Sequence, residues 1–426
     1  MRLSSFLKNK ETKNAGWLIG GRVVQMVLSL LVGVLTARYL GPGNYGLIGY
    51  ASSYVAFFTS LCTLGLNSVI IKDFVDNPEE EGKAIGSAIV MRIASSVLSA
   101  AMIVSFVAIV DRDEPLTIAV VALSSLGLIF HVFETFNFWF QSRYKSKITT
   151  IATLLAYIIT SAYKLVLLYF GKSVRWFAFA TSVDYIVVAA ILYIAYKNYR
   201  GPKLEFSLTK CKALLNKSYH YILSGMMVAI YGQTDKLMLK QMLDEASVGY
   251  YNTASTICKM WVFVLVAIID SIYPTILSLH KENEEAYKRK NKQLYAIVFY
   301  VSVTVSLIMC AIGGFVVKIL YGDAYTPAIM PLKIITWYTA FSYLGVARNA
   351  WIVCEGKQKY LKYMYLSAAV INVILNFSLI PVWGASGAAF ASLVTQIFTS
   401  IVLPLLIPAL RPNAKLMLSA IFLRFG

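Results

Sequence analysis

Apolar runs long enough to cross a lipid bilayer recur along nearly the whole of this sequence, with only short polar gaps between them. A hydrocarbon core about 30 Å thick takes about 20 helical residues. Counting windows of that length places twelve spans, approximately 15–37, 45–70, 84–110, 116–140, 148–170, 175–196, 216–239, 247–272, 293–319, 328–353, 360–380 and 385–410. Inside lipid every backbone N–H and C=O needs an internal partner, which leaves only helices and closed barrels. The runs exceed the roughly ten residues of a tilted barrel strand and lack sustained alternation, so a barrel is excluded. The expected fold class is an all-α polytopic membrane protein. Composition agrees, since 58% apolar and 14% charged residues over 426 positions are too apolar for a water-soluble domain, and the mean hydropathy is +0.66.

A formal charge of +18 invites a nucleic-acid reading, but the distribution of the charge excludes it. With a cytoplasmic N-terminus, only Arg38, Arg112, Lys172, Arg175 and Lys240 fall on the exported side, eight basic residues lie within spans, and the remaining 26 of 39 are cytoplasmic. That is a positive-inside bias, and it places both termini in the cytoplasm. Arg2, Lys8, Lys10 and Lys13 precede the first span as in a signal peptide, but that span runs about 23 residues with no small-residue cleavage site, which reads as an uncleaved anchor. The five cysteines show no CxxC spacing, so neither a disulfide frame nor a metal site is expected.

The polar connection at 197–215 carries Lys197, Arg200, Lys203, Lys210 and Lys212 with Gly201-Pro202 and divides the spans six and six. The expected organisation is an N-lobe over 1–204, a C-lobe over 205–411 and a basic, apolar tail over 412–426 resting on the inner leaflet. Each lobe begins with the same faint pattern: Leu40, Gly46, Ala51 and Ser52 in the first, Leu243, Gly249, Ala254 and Ser255 in the second, at a constant offset of 203. This favours two related lobes of one orientation. Residues 205–215 and 280–292 read as cytoplasmic surface helices, and the exported loops, 38–44 and 381–384 among them, are very short.

Charges inside spans carry the functional reading, because each basic one costs roughly 2.5–3.5 kcal/mol at a helix centre and is kept where it meets a partner or a wet cavity. They are Arg22, Arg92, Lys164, Lys236, Lys259, Lys318, Lys333 and Arg348, against the acids Glu134, Asp184, Asp235 and Asp270. A net positive lining suits an anionic cargo. Arg22 shares a stripe about 80° wide with Gln25, Ser29, Gly33 and Thr36, where cavity lining competes with snorkelling and with helix packing. Similar stripes carry Tyr157, Thr160, Ser161 and Lys164, and Tyr221, Ser224, Gly225, Gly232 and Asp235. Lys259 and Asp270, about 20° apart in phase, share a face but lie too far apart to pair. Glu134 sits beside His131 and Gln141, and Asp184 follows Thr181. Both acids read either as proton carriers or as members of structural ion pairs. Lys318 and Lys333 read as snorkelling near span ends, and Lys236 lies near the exported end. Arg92 and Arg348 read as an inner gate or as headgroup contacts. Polar faces bearing Asn372 and Asn376, and Ser392, Thr395, Gln396 and Thr399, are accounted for by interhelical hydrogen bonds. Most of the 28 tyrosines read as interfacial belts. No enzymatic signature is present: Gly171-Lys172-Ser173 ends like a phosphate-binding loop, but residue 166 is Val where the leading Gly belongs.

The segment Arg38-Tyr39-Leu40-Gly41-Pro42-Gly43-Asn44-Tyr45-Gly46 resembles the R-x-LGP-x-x-[YF]-G signature of polysaccharide repeat-unit (O-antigen and capsule, Wzx-type) flippases of the multidrug/oligosaccharidyl-lipid/polysaccharide exporter superfamily. Gly65-Leu66, Tyr321-Gly322-Asp323-Ala324-Tyr325 and Pro381 through Ala389 extend the resemblance along the chain. It implies twelve helices in two lobes around a central cavity, alternating access, and an undecaprenyl-pyrophosphate-linked glycan as cargo, in the bacterial inner membrane. A related peptidoglycan-precursor flippase uses first-span arginines, and Arg22 stands in the matching span; that family usually has more spans than this chain can hold. On this reading Arg22, Lys164, Lys259 and Arg348, with Arg92 and Lys236, engage the pyrophosphate or acidic sugars, while Glu134, Asp184, Asp235 and Asp270 tune or couple the cycle. Expected partners are membrane lipids, an H+ or Na+ coupling ion, and the pathway's polymerase and chain-length regulator, with no cofactor. The rivals are a cation-coupled drug exporter, for which a carboxylate excess is expected, and a membrane scaffold, whose buried charges should tolerate neutral replacement.

Overall fold

The computed structural model describes the chain from Lys10 to Leu423, with side chains from Val24 onward, Ser68 excepted. All regular structure among these residues is helical. Helices α1 (Lys10–Thr63), α2 (Leu66–Asp76), α3 (Glu81–Val110), α4 (Pro115–Ser125), α5 (Gly127–His131), α6 (Thr135–Ser142), α7 (Ser146–Tyr169) and α8 (Val174–Asn198) lead to the long α9 (Leu208–Met242). There follow α10 (Glu245–Glu282), α11 (Glu284–Tyr321), α12 (Ile329–Cys354), α13 (Leu361–Ile397), α14 (Leu403–Leu406) and α15 (Arg411–Ile421). Eight helical stretches among the described residues are long and apolar enough to cross a membrane, which makes this an integral membrane protein.

The sequence expects loops at 38–44 and 381–384, and the structure instead breaks the helix at one glycine in each place. Gly41 sits at φ 72°, ψ 171° within α1, and Gly384 at φ 57°, ψ −135° within α13. A left-handed φ is open to glycine and strained for other residues, so one residue turns the chain where a loop was expected. Pro42, next after Gly41, then occupies the first turn of the new helix, where no N–H is needed. Two helix starts carry side-chain caps. Asp244 accepts from the Ser247 N–H at 2.7 Å to open α10, and Asn283 accepts from the Ala286 N–H at 2.9 Å to open α11.

The chain forms two compact units: one reaches Leu40 and resumes from Leu47 to Ala229, and the other takes Gly41–Gly46 and the chain from Ile230 on. The first unit has a core of Leu66, Ile70, Ile85, Phe136, Trp139 and Leu214. At one end of it the polar connection after α8 is bound down along α3. The Glu205 N–H donates to Gly82 O at 3.1 Å, the Ser207 N–H to Ser87 Oγ at 3.0 Å, and Tyr196 OH to Pro202 O at 2.5 Å. Lys210 reaches Asp73 at 2.8 Å and Glu80 at 2.9 Å. The second unit packs Ile276, Leu294, Tyr295, Trp351 and Met364 together with Leu410, Met417 and Ala420. Helix α15, within the expected tail, therefore buries one face in this core, and Asn413 donates to Tyr295 OH at 2.7 Å.

Candidate functional site

In the second unit a cavity of about 220 Å³ opens between α9, α10, α12 and α13. Asp235 is its anchor. A carboxylate buried to 5% exposure needs donors for its lone pairs, and four are supplied from two other helices, α10 and α13. Oδ1 accepts from Asn372 Nδ2 at 3.1 Å and from Asn376 Nδ2 at 2.7 Å, while Oδ2 accepts from Ser392 Oγ at 2.5 Å and from Tyr251 OH. Asn372 and Asn376 are one helical turn apart on α13, so both amides face the same point. Ser392 reaches it from beyond the Gly384 break in the same element, so the break returns the chain toward Asp235.

Lys236, next to Asp235, and Lys259, one turn after Ser255 on α10, line the same cavity and lie near enough to interact electrostatically. Neither makes an ion pair among the described residues. Tyr231, Tyr338 and Tyr343 add aromatic surface with hydroxyl tips, and Tyr231 OH donates to Gln396 Oε1 at 2.5 Å. The cavity thus combines one carboxylate already saturated with donors, two ammonium groups in no ion pair among the described residues and several aromatic walls. Such a lining can offer an anion charge-assisted hydrogen bonds beside apolar surface. A larger hollow of about 760 Å³ lies among His280, Tyr287, Glu355 and Lys357, but its acids already have partners, Tyr287 donating to Glu355 at 3.4 Å and Lys288 pairing with Glu284 at 2.6 Å.

The other expected site residues fall elsewhere. Lys164 and Asp184 interact electrostatically between α7 and α8, and Thr160 Oγ1 donates to Asp184 Oδ1 at 3.3 Å. Asp270 is exposed and is not part of the cavity wall. The side chain of Arg22 lies outside the described residues. Arg92, 1% exposed, meets Glu134 at 3.8 Å and donates to Thr135 Oγ1 at 2.9 Å. Gln141, read on the same face as Glu134, instead donates to Asn137 Oδ1 at 3.2 Å.

Arg92 and Arg348 share a task that the sequence does not announce. Between α5 and α6 the chain tightens into a 3₁₀ turn at Val132–Glu134, the Thr135 N–H turns to Val132 O and Phe133 O, and Arg92 Nη2 donates to the His131 carbonyl at 3.2 Å. After α13 the chain widens into a π turn at Phe398–Val402, and Arg348 Nη1 donates to Thr399 O at 3.3 Å and Ser400 O at 3.4 Å. Where a membrane helix departs from α geometry its carbonyls need a new donor, and in each unit a buried arginine supplies it.

The fold is shared with solved structures of other membrane proteins. An inward-facing multidrug resistance MATE family transporter of the MOP superfamily superimposes with TM-score 0.68 at 14% identity, covering 92% of this chain and 96% of that one. The lipid II flippase MurJ in an inward closed conformation gives TM-score 0.68 at 14% identity, covering 95% and 90%. The chain belongs to the polysaccharide biosynthesis protein family, which residues 35–330 match. A relative from Escherichia coli K12, named as an O-antigen transporter, is 21% identical over 390 residues, 88% of this chain and 92% of that one.

Proposed function

We propose that this chain is a flippase that moves an undecaprenyl-pyrophosphate-linked oligosaccharide repeat unit from the cytoplasmic to the outer leaflet of the bacterial inner membrane by alternating access, for O-antigen, capsule or exopolysaccharide assembly. It is a transport protein rather than an enzyme. The observation that carries the reading is the pair Lys236 and Lys259, two ammonium groups facing a cavity with no ion-pair partner among the described residues. A pyrophosphate offers them charge-assisted hydrogen bonds, and the tyrosines beside them offer flat apolar surface to a sugar face. A carboxylate excess, as a cationic drug would want, is not what lines this cavity.

Twelve spans follow when α1 and α13 are each counted as two at Gly41 and Gly384 and when α9 and α12 are added to the eight apolar stretches. In this reading lobes 1–204 and 205–411 rock about the cargo, and both termini are cytoplasmic. Asp235, Glu134 and Asp184 are the carboxylates through which an H+ or Na+ gradient acts, and Arg22, Lys164, Arg92 and Arg348 support the cationic character of the cargo path. The test is flipping in sealed proteoliposomes of a fluorescent short-chain polyprenyl-pyrophosphate oligosaccharide, read by quenching of the outer leaflet. The protein is expected to raise the flipping rate well above that of protein-free vesicles, with competition by polyprenyl pyrophosphate and none by a neutral glycolipid. Accumulation of a cationic dye without lipid flipping assigns the chain to drug export instead.

A further inference from the structure

A second polar cluster lies inside the first unit. His131, at the end of α5, presents both ring nitrogens to charged partners. Its Nδ1 is 3.3 Å from Arg92 Nη2, and its Nε2 is 3.2 Å from Glu134 Oε2. A guanidinium only donates, so Nδ1 facing it has to accept and carries no hydrogen. The hydrogen of the neutral ring is therefore on Nε2, where it donates to the Glu134 carboxylate. The same arginine nitrogen also holds the His131 carbonyl at 3.2 Å, and Thr135 Oγ1 fixes Nη1 at 2.9 Å, so the guanidinium is braced against the turn that carries both His131 and Glu134.

We infer that Arg92, His131 and Glu134 form a proton-binding site whose loading breaks the contact between Arg92 and His131. A proton arriving at Nδ1 makes two donors face each other at 3.3 Å, so the Arg92 Nη2–H to Nδ1 hydrogen bond is lost as the Nδ1–H bond forms. The resulting imidazolium pairs through Nε2 with Glu134, and the cluster passes from a net charge of zero to +1. Arg92 then retains only the His131 carbonyl and Thr135 as anchors on this turn, with Glu134 at 3.8 Å as its counter-charge. Arg92 Nε is buried with no hydrogen-bond partner among the described residues. The groups facing the site from neighbouring helices are Tyr185 of α8, edge-on to the His131 ring at 5.1 Å, with Asp184 beside it, and Cys62 of α1, which Arg92 and Tyr185 both sense electrostatically. Among the described residues none of these hydrogen-bonds His131, so the tautomer is set by Arg92 and Glu134. The inference deepens the transport reading, which names Glu134 among the coupling carboxylates, and its test needs no cargo.

The test is nitrogen-15 NMR of histidine-labelled full-length protein in liposomes, with His220→Gln and His280→Gln leaving His131 as the sole labelled histidine. At about pH 8 a single Nε2–H tautomer is expected, and imidazolium is expected to replace it as the pH is lowered. Arg92→Gln offers Nδ1 either a donor or an acceptor and is expected to turn the single tautomer into a mixture, while Glu134→Gln is expected to diminish the imidazolium signal at the acid end. If Arg92→Gln fails to fold, Thr135→Val, which removes one anchor of the guanidinium and leaves Arg92 in place, is expected to give a partial mixture. An Nδ1–H tautomer in the wild type, an unchanged tautomer in the variants or the absence of imidazolium at acid pH overturns the proposal. These results stand whether or not the chain flips a lipid-linked glycan.

Discussion

Gly46→Ala and Gly249→Ala are each expected to abolish the folded protein, seen as loss of the monodisperse peak in detergent size-exclusion and of a cooperative thermal transition. A methyl group at Gly46 would stand 1.7 Å from Glu245 O, and one at Gly249 would stand 2.2 Å from Pro42 O. Both obstacles are backbone, so no rotamer change relieves them, and two helical segments have to separate. Overpacking of a core typically costs about 1–3 kcal/mol, and a clash of backbone with Cβ lies at or beyond the top of that range. Gly43→Ala is the control, because a methyl group there meets nothing within 4 Å, and it is expected to leave the melting temperature unchanged. The two glycines are the ones that recur at an offset of 203, so the repeated pattern marks a place where each half of the chain brings backbone against backbone.

Substitution of Asp235 is expected to have the next largest effect, and two variants separate its structural from its functional share. Asp235→Ala strands four donors, of which Asn372 and Asn376 are fully buried. Each stranded group costs about 1–3 kcal/mol in a dry interior, and about 0.6 kcal/mol where a membrane reference state supplies substitutes. A melting temperature lowered by several degrees is the expected result. Asp235→Asn keeps the size but turns an amide toward groups that already donate, and removes a charge one residue from Lys236. Transport is expected to fall at least about tenfold, equivalent to about 1.4 kcal/mol, at matched abundance, with less loss of stability than in the alanine variant. Equal transport by Asp235→Asn and wild type would remove Asp235 from the coupling carboxylates.

Much of the helical content was legible because a bilayer-length apolar run admits little else, and the positions of Asp235, Lys236 and Lys259 were legible because charge inside such a run is expensive. Their convergence was not. Asn372 and Asn376 showed as a polar face on one helix and Ser392 as a polar face on another, and nothing along the chain says that both faces meet one carboxylate. Tyr231 and Tyr338 did not stand out among the 28 tyrosines, because a tyrosine at a membrane interface and one on a cavity wall look alike in sequence. The loops expected at 38–44 and 381–384 became glycine breaks, since Gly41-Pro42 and Gly384 mark a turn without fixing its length. Arg92 and Arg348 read as gate or headgroup contacts, and their bonds to carbonyls at turns that leave α geometry were not legible. Neither Val132–Glu134 nor Phe398–Val402 contains glycine or proline, so the departures have no local signal and are imposed by packing.

Whether the cationic cavity of the second unit handles an anionic lipid-linked glycan is decided by complementation of a bacterial strain lacking its repeat-unit flippase. Wild type, Lys236→Gln, Lys259→Gln and the double variant are compared at matched membrane abundance, scoring surface glycan and the lipid-linked intermediate held in the inner leaflet. Rescue by wild type, partial loss in each single variant, and in the double variant loss of surface glycan with build-up of intermediate are expected. Full rescue by the double variant contradicts this role for the cavity.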